Sequence, residues 1–311
     1  MSLLLAFVAD LWFGDPEYRY HPVRVMGRLI ERGEIFFRRF IRRERVAGAV
    51  FAVGFPLVVF VFFGAGLFLL QKIHPLLAHV FNILGIYTAI SVHDLKKEAE
   101  KIHRDLVRRD FEQARKNLAR IVGRDTEHLE ESDITRAAVE TVAESSVDGV
   151  VAPLFYAALG GAPLALTYKA VNTLDSMIGH WNERYRDFGF AAAKQDVVWN
   201  WIPARLSYGL VVLAAFFSRK NAKAALTVGW NDGVMSGENS AIPEAAFAGA
   251  LDVRLGGQNC YEGRVVEKPF LGTPHRALDG QVILESINLM LATAWLTLLL
   301  CLWIEHNFKI F

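Results

Sequence analysis

Residues 46–70 read VAGAVFAVGFPLVVFVFFGAGLFLL, an apolar stretch without a charged side chain. About 20 apolar residues span the hydrocarbon core of a bilayer, so this segment is long enough to cross with some tilt. Pro56 lies near its middle and is expected to kink the helix rather than to end it. The stretch therefore predicts a transmembrane helix, against the alternative of a long helix buried in a soluble core.

Two further stretches extend this prediction. Residues 282–304 end in the run LMLATAWLTLLLCLWI, where Trp303 is placed as an interfacial anchor. Residues 75–92 form a weaker span because they carry His79 and Asn82. Hydrophobic residues make up 53% of the 311, which a bilayer explains. We predict an all-α integral membrane protein: a polytopic helical bundle with amphipathic cytoplasmic helices, in a single membrane-embedded domain over residues 1–311.

Three other apolar segments are short or interrupted, at residues 2–13, 150–170 and 201–217. The first covers about 18 Å as a helix, too little to cross alone. The other two contain Gly or Pro and fit re-entrant or protein-buried helices better than clean spans. If both cross, residues 171–200 face outside, and if neither does, residues 93–281 are all cytoplasmic. Both alternatives stay open at the level of sequence.

Loop charge orients the predicted bundle. Between residues 24 and 45 lie eight arginines, at positions 24, 28, 32, 38, 39, 42, 43 and 45, whereas the connection 71–75 holds only Lys72. By the positive-inside rule the arginine-rich segment is cytoplasmic. We therefore expect the cytoplasmic membrane as location, with polar segments 14–45, 93–149 and 218–281 and the catalytic face inside. The net charge of +1 gives no footprint for nucleic acid.

An acidic ladder lies in the second polar segment. In ITRAAVETVAESSVDGVVAP, Glu140, Glu144 and Asp148 recur every four residues and share one face of a helix. Like charges at this spacing destabilise a helix unless something neutralises them. Mg²⁺ with a nucleotide is a natural counter-ion, so these three residues are the predicted metal ligands. The alternative is a solvated acidic stripe.

Other polar groups follow in the chain. Lys169, Asn172 and Asp175 fall on or near one helix face, a pattern that suits a phosphate or carboxylate ligand, or else a lysine that snorkels from a membrane helix end. Asn239 and Glu244 flank Pro243 in a stretch expected to form a loop, a short helix and a turn. Residues 93–118 predict a pair of amphipathic helices, and residues 123–126 a boundary between helices.

Neither GxxxxGK[ST] nor GxGxxG occurs, so a nucleotide site would be neither a P-loop nor a Rossmann crevice. The two cysteines, Cys260 and Cys301, lie far apart and predict neither a disulfide framework nor a CxxC metal site.

Several stretches, in order along nearly the whole chain, resemble one known family. The longest are DLWFGDPEYRYHPVRVMGRLI at 10–30, RAAVETVAESSVDGVVAPLFYAALGGAPLALTYKAVNTLDSMIGH at 136–180 and PEAAFAGALDVRLGG at 243–257; SVHDL at 91–95, ARKNLARIVGRDT at 114–126 and PARL at 203–206 are shorter. They are similar to the adenosylcobinamide-phosphate synthase family (CbiB, also called CobD), integral-membrane enzymes of adenosylcobalamin biosynthesis. The chain departs from the family pattern in GENSAIPEAA and around Gln195-Asp196.

The resemblance implies an acid–amine ligase. Family members use ATP and Mg²⁺ to join the propionate carboxyl of the corrinoid adenosylcobyric acid to aminopropanol or its O-phosphate, giving adenosylcobinamide or its phosphate. In this chain Glu140 and Glu144 are the expected acidic catalytic groups, Lys169 the cation, and His21 or Asp94 the base; His21 and Asp15 are equally candidates for turn structure. Expected substrate and ATP contacts are Arg124, Asp125, Asn172, Asp175, Asn239 and Glu244.

A second class of function stays open: a non-catalytic membrane carrier or sensor for a corrinoid or another amphipathic ligand. A carrier is expected to place ionisable groups in the spans themselves.

Overall fold

The computed structural model describes residues 1–15, 18–261 and 263–308, which fold into helices and one β-hairpin. The helices are α1 Ser2–Phe13, α2 Pro22–Phe40, α3 Glu44–Ile73, α4 Pro75–Tyr87, α5 Val92–Val107, α6 Phe111–Leu118, α7 Glu131–Ser146, α8 Ala152–Ile178, α9 Phe190–Phe217, α10 Ala222–Val228, α11 Ala241–Leu251 and α12 Gly280–Phe308. Strands β1 Arg254–Tyr261 and β2 Arg264–Gly272 pair antiparallel. Short π-helical turns cover Val147–Val151 and Gly229–Gly233, and a 3₁₀ turn covers Val234–Ser236.

The chain groups into two compact units, Met1–Ser91 with Ala152–Trp201 and Leu298–Phe311, and Val92–Val151 with Ile202–Thr297. The chain passes between the units four times, so neither is a consecutive stretch. The single domain expected over residues 1–311 therefore stays a prediction.

In the first unit, α3 packs against α8 and α4, and α1 packs against α4. Phe51 of α3 and Leu174 of α8 share a buried cluster with Phe188. Gly48 lies so close to the Phe188 carbonyl that a Cβ would come within 1.8 Å of its oxygen. A side chain at position 48 would therefore separate α3 from the segment that carries Phe188.

Helix α8 is broken at Gly160 and Gly161, where the backbone leaves the helical conformation. Gly161 has φ 61°, a conformation that glycine adopts without steric cost. The break leaves the Ala162 amide without its helical partner, and Asn82 of α4 accepts a hydrogen bond from it at 2.7 Å.

In the second unit, α11 packs against α10 and α7, and the β-hairpin packs against both α7 and α11. The register of the hairpin shifts between Leu255 and Gly257, where Gly256 and Gly257 have φ 77° and 84°. A Cβ on Gly256 would come within 2.1 Å of the Pro269 carbonyl oxygen, so the bulge requires glycine. Sequence reasoning expected only a turn at this pair and did not predict the hairpin.

By length and composition, five helical stretches of the described chain could cross a membrane: Glu44–Ile73, Pro75–Val107, Glu131–Ile178, Phe190–Phe217 and Gly280–Asn307. The polytopic helical fold is thereby confirmed, and the predicted spans 46–70, 75–92 and 282–304 lie inside three of these stretches. The segments 150–170 and 201–217 each belong to a longer helical stretch, because helix continues through Pro153 and Pro203. The interruption predicted within 150–170 is nevertheless found, at Gly160 and Gly161.

Local predictions had mixed outcomes. The amphipathic pair within residues 93–118 is confirmed as α5 and α6. Helix α3 continues through Pro56. Residues 123–126 lie between α6 and α7, as the predicted boundary requires, although α7 begins only at Glu131 and they do not cap it.

Candidate active site

The acidic ladder begins on α7 but does not continue as regular helix. Glu140 is buried, Glu144 is exposed, and Asp148 lies in the π-helical turn that follows Ser146. Within residues 1–15, 18–261 and 263–308, no group of three or more His, Cys, Asp or Glu side chains is arranged to hold a metal ion. A preformed site made of Glu140, Glu144 and Asp148 is therefore not found among these residues, and Mg²⁺ stays a prediction.

Glu140 is held by protein groups on both carboxylate oxygens. Arg124 Nη2 donates to Oε2 at 2.5 Å, and the Gly256 amide donates to Oε1 at 2.8 Å. Arg136 Nη1 lies 3.6 Å from the same Oε1. This differs from the predicted role of Glu140 as a metal ligand and catalytic group, because its lone pairs already serve to tie α7 to the hairpin.

Glu244 lies in the first turn of α11 and is buried. Burial raises the pKa of Glu244 from 4.5 to about 8, and the negative charges of Glu144 and Glu140 act in the same direction. Lys268 and Arg124 oppose this shift without cancelling it. A carboxyl group that exchanges its proton near neutral pH is suited to general acid–base chemistry.

Lys268 of β2 is the cation whose charge acts most strongly on Glu244. Burial lowers the pKa of Lys268, but the charges of Glu244, Tyr261 and Glu144 together raise it above 10.5. Its side chain retains contact with solvent, so burial does not cancel the effect of these charged neighbours. Lys268 therefore carries a positive charge at neutral pH, close enough to act on both carboxylates.

Carboxylates and cations are unequal in number in this cluster. It contains three carboxyl groups and two cations: Glu140, Glu144 and Glu244 with Arg124 and Lys268. The Arg124–Glu140 pair is nearly buried, with side-chain exposures of 8% and 3%. Glu144 keeps its side chain accessible. The cluster thus combines an accessible carboxylate, a buried carboxyl with a raised pKa and a lysine.

Two other predicted substrate contacts in the second unit have structural partners. The Asp125 amide donates to the Cys260 carbonyl at 2.9 Å, and Asp125 Oδ2 accepts from the Gly263 amide at 2.8 Å, so this residue fixes the tip of the hairpin. Arg205 Nη1 donates to Asn239 Oδ1 at 3.2 Å. Asp94 lies half-buried in the first turn of α5.

The remaining predicted residues lie in the first unit. On α8, the Thr173 hydroxyl donates to the Lys169 carbonyl at 2.6 Å and the Ser176 hydroxyl to the Asn172 carbonyl at 2.9 Å. These hydroxyls therefore satisfy the helix backbone. Asn172 is buried, while Lys169 and Asp175 are half-buried and, like Asn172, have interaction partners of their own.

His21 is buried, and its Nε2 lies 2.7 Å from Asp15 Oδ1. It immediately precedes Pro22, the first residue of α2. This placement favours the structural alternative for the Asp15–His21 pair over the role of catalytic base.

Comparison with known proteins agrees with the resemblance seen in the sequence. A family model described as CobD/Cbib protein matches residues 3–290. The chain belongs to the CobD/CbiB family. No solved structure gives a significant match.

Members of the CobD/CbiB family resemble this chain along nearly its full length. Cobalamin biosynthesis protein CobD of Clostridium perfringens is 44% identical over 309 residues, which cover 98% of each chain. CobD of Geobacter metallireducens is 44% identical, covering 96% of this chain and 94% of its own. Cobalamin biosynthesis protein CbiB of Salmonella typhimurium is 42% identical, covering 96% and 95%.

Sequence reasoning on this CobD/CbiB chain missed Lys268 and Arg136. Both become relevant through the hairpin, whose strands bring residues 254–272 onto α7 and α11. One local signal was available: RVVEKPFLG, with β-branched residues at its start and glycine at its end, is typical of a strand.

Proposed function

We propose that this CobD/CbiB-family protein acts in cobalamin biosynthesis as an acid–amine ligase. It joins the propionate carboxyl of adenosylcobyric acid to aminopropanol or its O-phosphate, with ATP as the energy source. The observation that carries the proposal is the buried Glu244, whose pKa is raised to about 8 beside Glu144 and Lys268. Membership of a family whose named relatives are cobalamin biosynthesis proteins supplies the substrate class.

The propionate carboxylate is a poor acyl donor. An amine that attacked it directly would have to displace oxide, which is a very poor leaving group. The carboxylate oxygen attacks the γ-phosphorus of ATP, ADP leaves, and an acyl phosphate forms. The amine nitrogen then attacks the acyl carbon, and inorganic phosphate leaves with the electrons of the broken C–O bond. One N–H proton must go to a base, and negative charge develops on the acyl oxygen.

Glu244 is the proposed base. An amine near neutral pH is largely an ammonium ion, so it must lose a proton before it attacks. A carboxylate with a pKa of about 8 accepts this proton with little loss of driving force, since catalysis is most efficient when the pKa of the base lies near the working pH. Lys268 supplies a fixed positive charge that stabilises the developing oxyanion.

The acidic residues also fit a magnesium ion. Mg²⁺ is commonly held by one or two carboxylates together with substrate phosphates, rather than by a complete protein cage. Glu144 is accessible, and Asp148 lies close enough for their charges to interact. These two residues would hold the ion, which neutralises phosphate charge when bound.

The test is a reconstituted reaction with the purified full-length protein in detergent. Adenosylcobyric acid, ATP, Mg²⁺ and either amine are supplied, and the amide product and ADP are quantified by mass spectrometry. Glu244→Gln is expected to lower kcat by about 10²-fold or more, because general base catalysis typically contributes 10²–10⁴-fold. Lys268→Ala should lower it comparably.

Glu267→Gln is the matched control, since Glu267 is an exposed carboxylate beside Lys268 on the same strand. It should retain the wild-type rate. A wild-type rate in Glu244→Gln would show that Glu244 is not the base. If the wild-type protein forms no amide when ATP is supplied, the ligase function is rejected.

One observation favours the carrier alternative. Glu140 and Glu144 lie within Glu131–Ile178, a stretch long and apolar enough to cross a membrane, and carriers place ionisable groups in their spans. The two functions differ in their use of ATP. Corrinoid accumulation in vesicles without ATP and without amide product would support the carrier, whereas stoichiometric ADP and amide would support the ligase.

A further inference from the structure

An open cavity of about 640 Å³ lies in the second unit, between the start of α7, the β-hairpin and the segment that precedes α12. Its volume is in the usual range for small-molecule sites. Four arginines line it: Arg124, Arg136, Arg254 and Arg276. The only acidic side chain among its lining residues is Asp133, within the part of the chain that the structure describes.

The two innermost arginines share one buried counter-charge. Arg124 and Arg136 side chains are 8% and 11% exposed, and both lie on the carboxylate of Glu140, which is 3% exposed. Asp133 lies 3.2 Å from Arg136 Nη2, but its side chain is 41% exposed. Arg124 and Arg136 are thus matched in number by Glu140 and Asp133, and of these two carboxylates only Glu140 is buried.

The hairpin holds these guanidinium groups in place. Arg136 Nη1 donates to the Gly256 carbonyl at 2.6 Å, and Nη2 donates to the Gln258 carbonyl at 2.9 Å. Asn259 Oδ1 accepts from both Arg124, at 2.7 Å, and Arg136, at 3.1 Å. The glycine bulge therefore fixes a rigid cationic wall, since its carbonyls are the acceptors that Arg136 needs.

The same wall also contains a buried hydrogen-bond donor, the side-chain amide of Asn259. Both arginines occupy the oxygen of the Asn259 amide, so its other end must be the NH₂ group. Asn259 is 5% exposed, and its Nδ2 has no hydrogen-bond partner among residues 1–15, 18–261 and 263–308. A buried donor without a partner costs free energy, which an acceptor oxygen on a ligand, or a small shift that admits one, would recover.

The rim of the cavity adds two more cations. Arg254 is exposed, stacks on Phe270 with its guanidinium carbon 4.2 Å from the ring centroid, and makes no ion pair among the described residues. Arg276 Nη1 donates to Glu285 Oε2 at 2.8 Å, but Lys220 Nζ also donates to this oxygen at 2.5 Å. Arg276 Nη2 also lies 3.9 Å from Asp279 Oδ1, so Glu285 and Asp279 match Arg276 and Lys220. The unmatched positive charge at the rim is therefore that of Arg254, which an anion would balance.

We propose that this cavity, which we call the arginine pocket, binds the phosphate group of a phosphate-bearing substrate. Planar guanidinium groups pair with phosphate oxygens through two parallel hydrogen bonds. The identity of that substrate rests on the proposed ligase function, which offers two sources of the same chemistry: ATP and the O-phosphorylated amine. Arg124 belongs both to this pocket and to the Glu244 cluster, so phosphate binding and acid–base chemistry share a residue.

Binding is tested by isothermal titration calorimetry of the full-length protein in detergent, with ATP, inorganic tripolyphosphate and aminopropanol O-phosphate as separate probes. Arg254→Ala is expected to weaken binding of the cognate probe at least tenfold, and Arg254→Lys to give an intermediate affinity because it keeps the charge but loses the planar fork. Arg264→Ala removes an exposed arginine from the same hairpin outside the pocket, and it should change affinity less than twofold.

The outcomes distinguish ATP from the O-phosphorylated amine as the source of the phosphate, and they test the arginine pocket separately from the ligase function. Loss of ATP and tripolyphosphate binding in Arg254→Ala identifies the nucleotide, and loss of only aminopropanol O-phosphate binding identifies the amine. Unchanged affinity for all three probes, or an equal loss in Arg264→Ala, would overturn the arginine pocket. If Arg254→Ala forms the amide with an unaltered KM for ATP and amine, the pocket fails while the ligase function stands. If phosphate binding depends on Arg254 but the wild type makes no amide, the ligase function fails and the pocket stands.

Discussion

Glu244 combines two unfavourable environments for a negative charge. It is buried, and two further carboxylates act on it, so a proton stays bound well above the pH at which an exposed glutamate loses it. In the unfolded chain the same side chain ionises near its ordinary pKa of 4.5. Folding therefore takes up a proton at pH values between 4.5 and 8.

This difference predicts a pH-dependent stability. Because the folded pKa is raised, the contribution of Glu244 is fully present below pH 4.5 and is lost as the pH rises towards 8, at up to about 1.4 kcal/mol per pH unit. Glu244→Gln cannot ionise and should flatten this decline. Thermal unfolding midpoints in detergent, measured from pH 5 to pH 9, provide the check. An equal decline in wild type and Glu244→Gln would show that another group carries the linkage.

At the scale of secondary-structure elements, a helix was predictable where a single pattern in its own sequence identifies it. Uniform apolarity predicts α3 and α12, and the four-residue spacing of Glu140 and Glu144 correctly places both on α7. The hairpin was not predictable in the same way. Residues 264–270 of β2 are exposed on both faces, so no alternation of apolar and polar residues marks the strand.

The candidate site depends on that hairpin. Glu244 was named from sequence beside Pro243 as an expected substrate or ATP contact. Lys268 and Arg254, in contrast, reach the site only through strand pairing and packing against α7 and α11. Such long-range contacts leave no periodicity in the local sequence. Hence the acidic residues of the candidate site were named from sequence, whereas of its cations only Arg124 was.

The break in α8 is an element-scale feature with a direct test. Asn82 Oδ1 satisfies the Ala162 amide that the Gly160–Gly161 break exposes. Asn82→Leu removes this acceptor and should lower stability by about 1–3 kcal/mol, because a buried amide is left without a partner. Asn82→Asp, which keeps an acceptor oxygen, is the matched comparison. Thermal unfolding in detergent measures both, and an unchanged midpoint in Asn82→Leu would contradict this role.

At the scale of the whole molecule, the number of crossings decides where the site faces. Five stretches are long and apolar enough to span a bilayer, two more than the three spans expected from sequence. Placing the arginine-rich residues 24–45 in the cytoplasm and letting all five cross puts residues 108–130 and 218–279 inside. Both strands of the hairpin and all of α11 then lie on the cytoplasmic side, where ATP is available.

This topology predicts a definite labelling pattern. The native Cys260 and Cys301 are first replaced by serine, and single cysteines are then introduced at exposed positions as Lys72→Cys, Glu183→Cys and Glu238→Cys. A membrane-impermeant maleimide applied to intact cells should label the cysteines at 72 and 183. It should label the cysteine at 238 only after the membrane is opened. Position 183 is decisive because it lies between α8 and α9. If the cysteines at 183 and 238 are both protected in intact cells and both react in opened membranes, then neither α8 nor α9 crosses, and residues 93–281 share one side, as the alternative of two non-crossing segments requires.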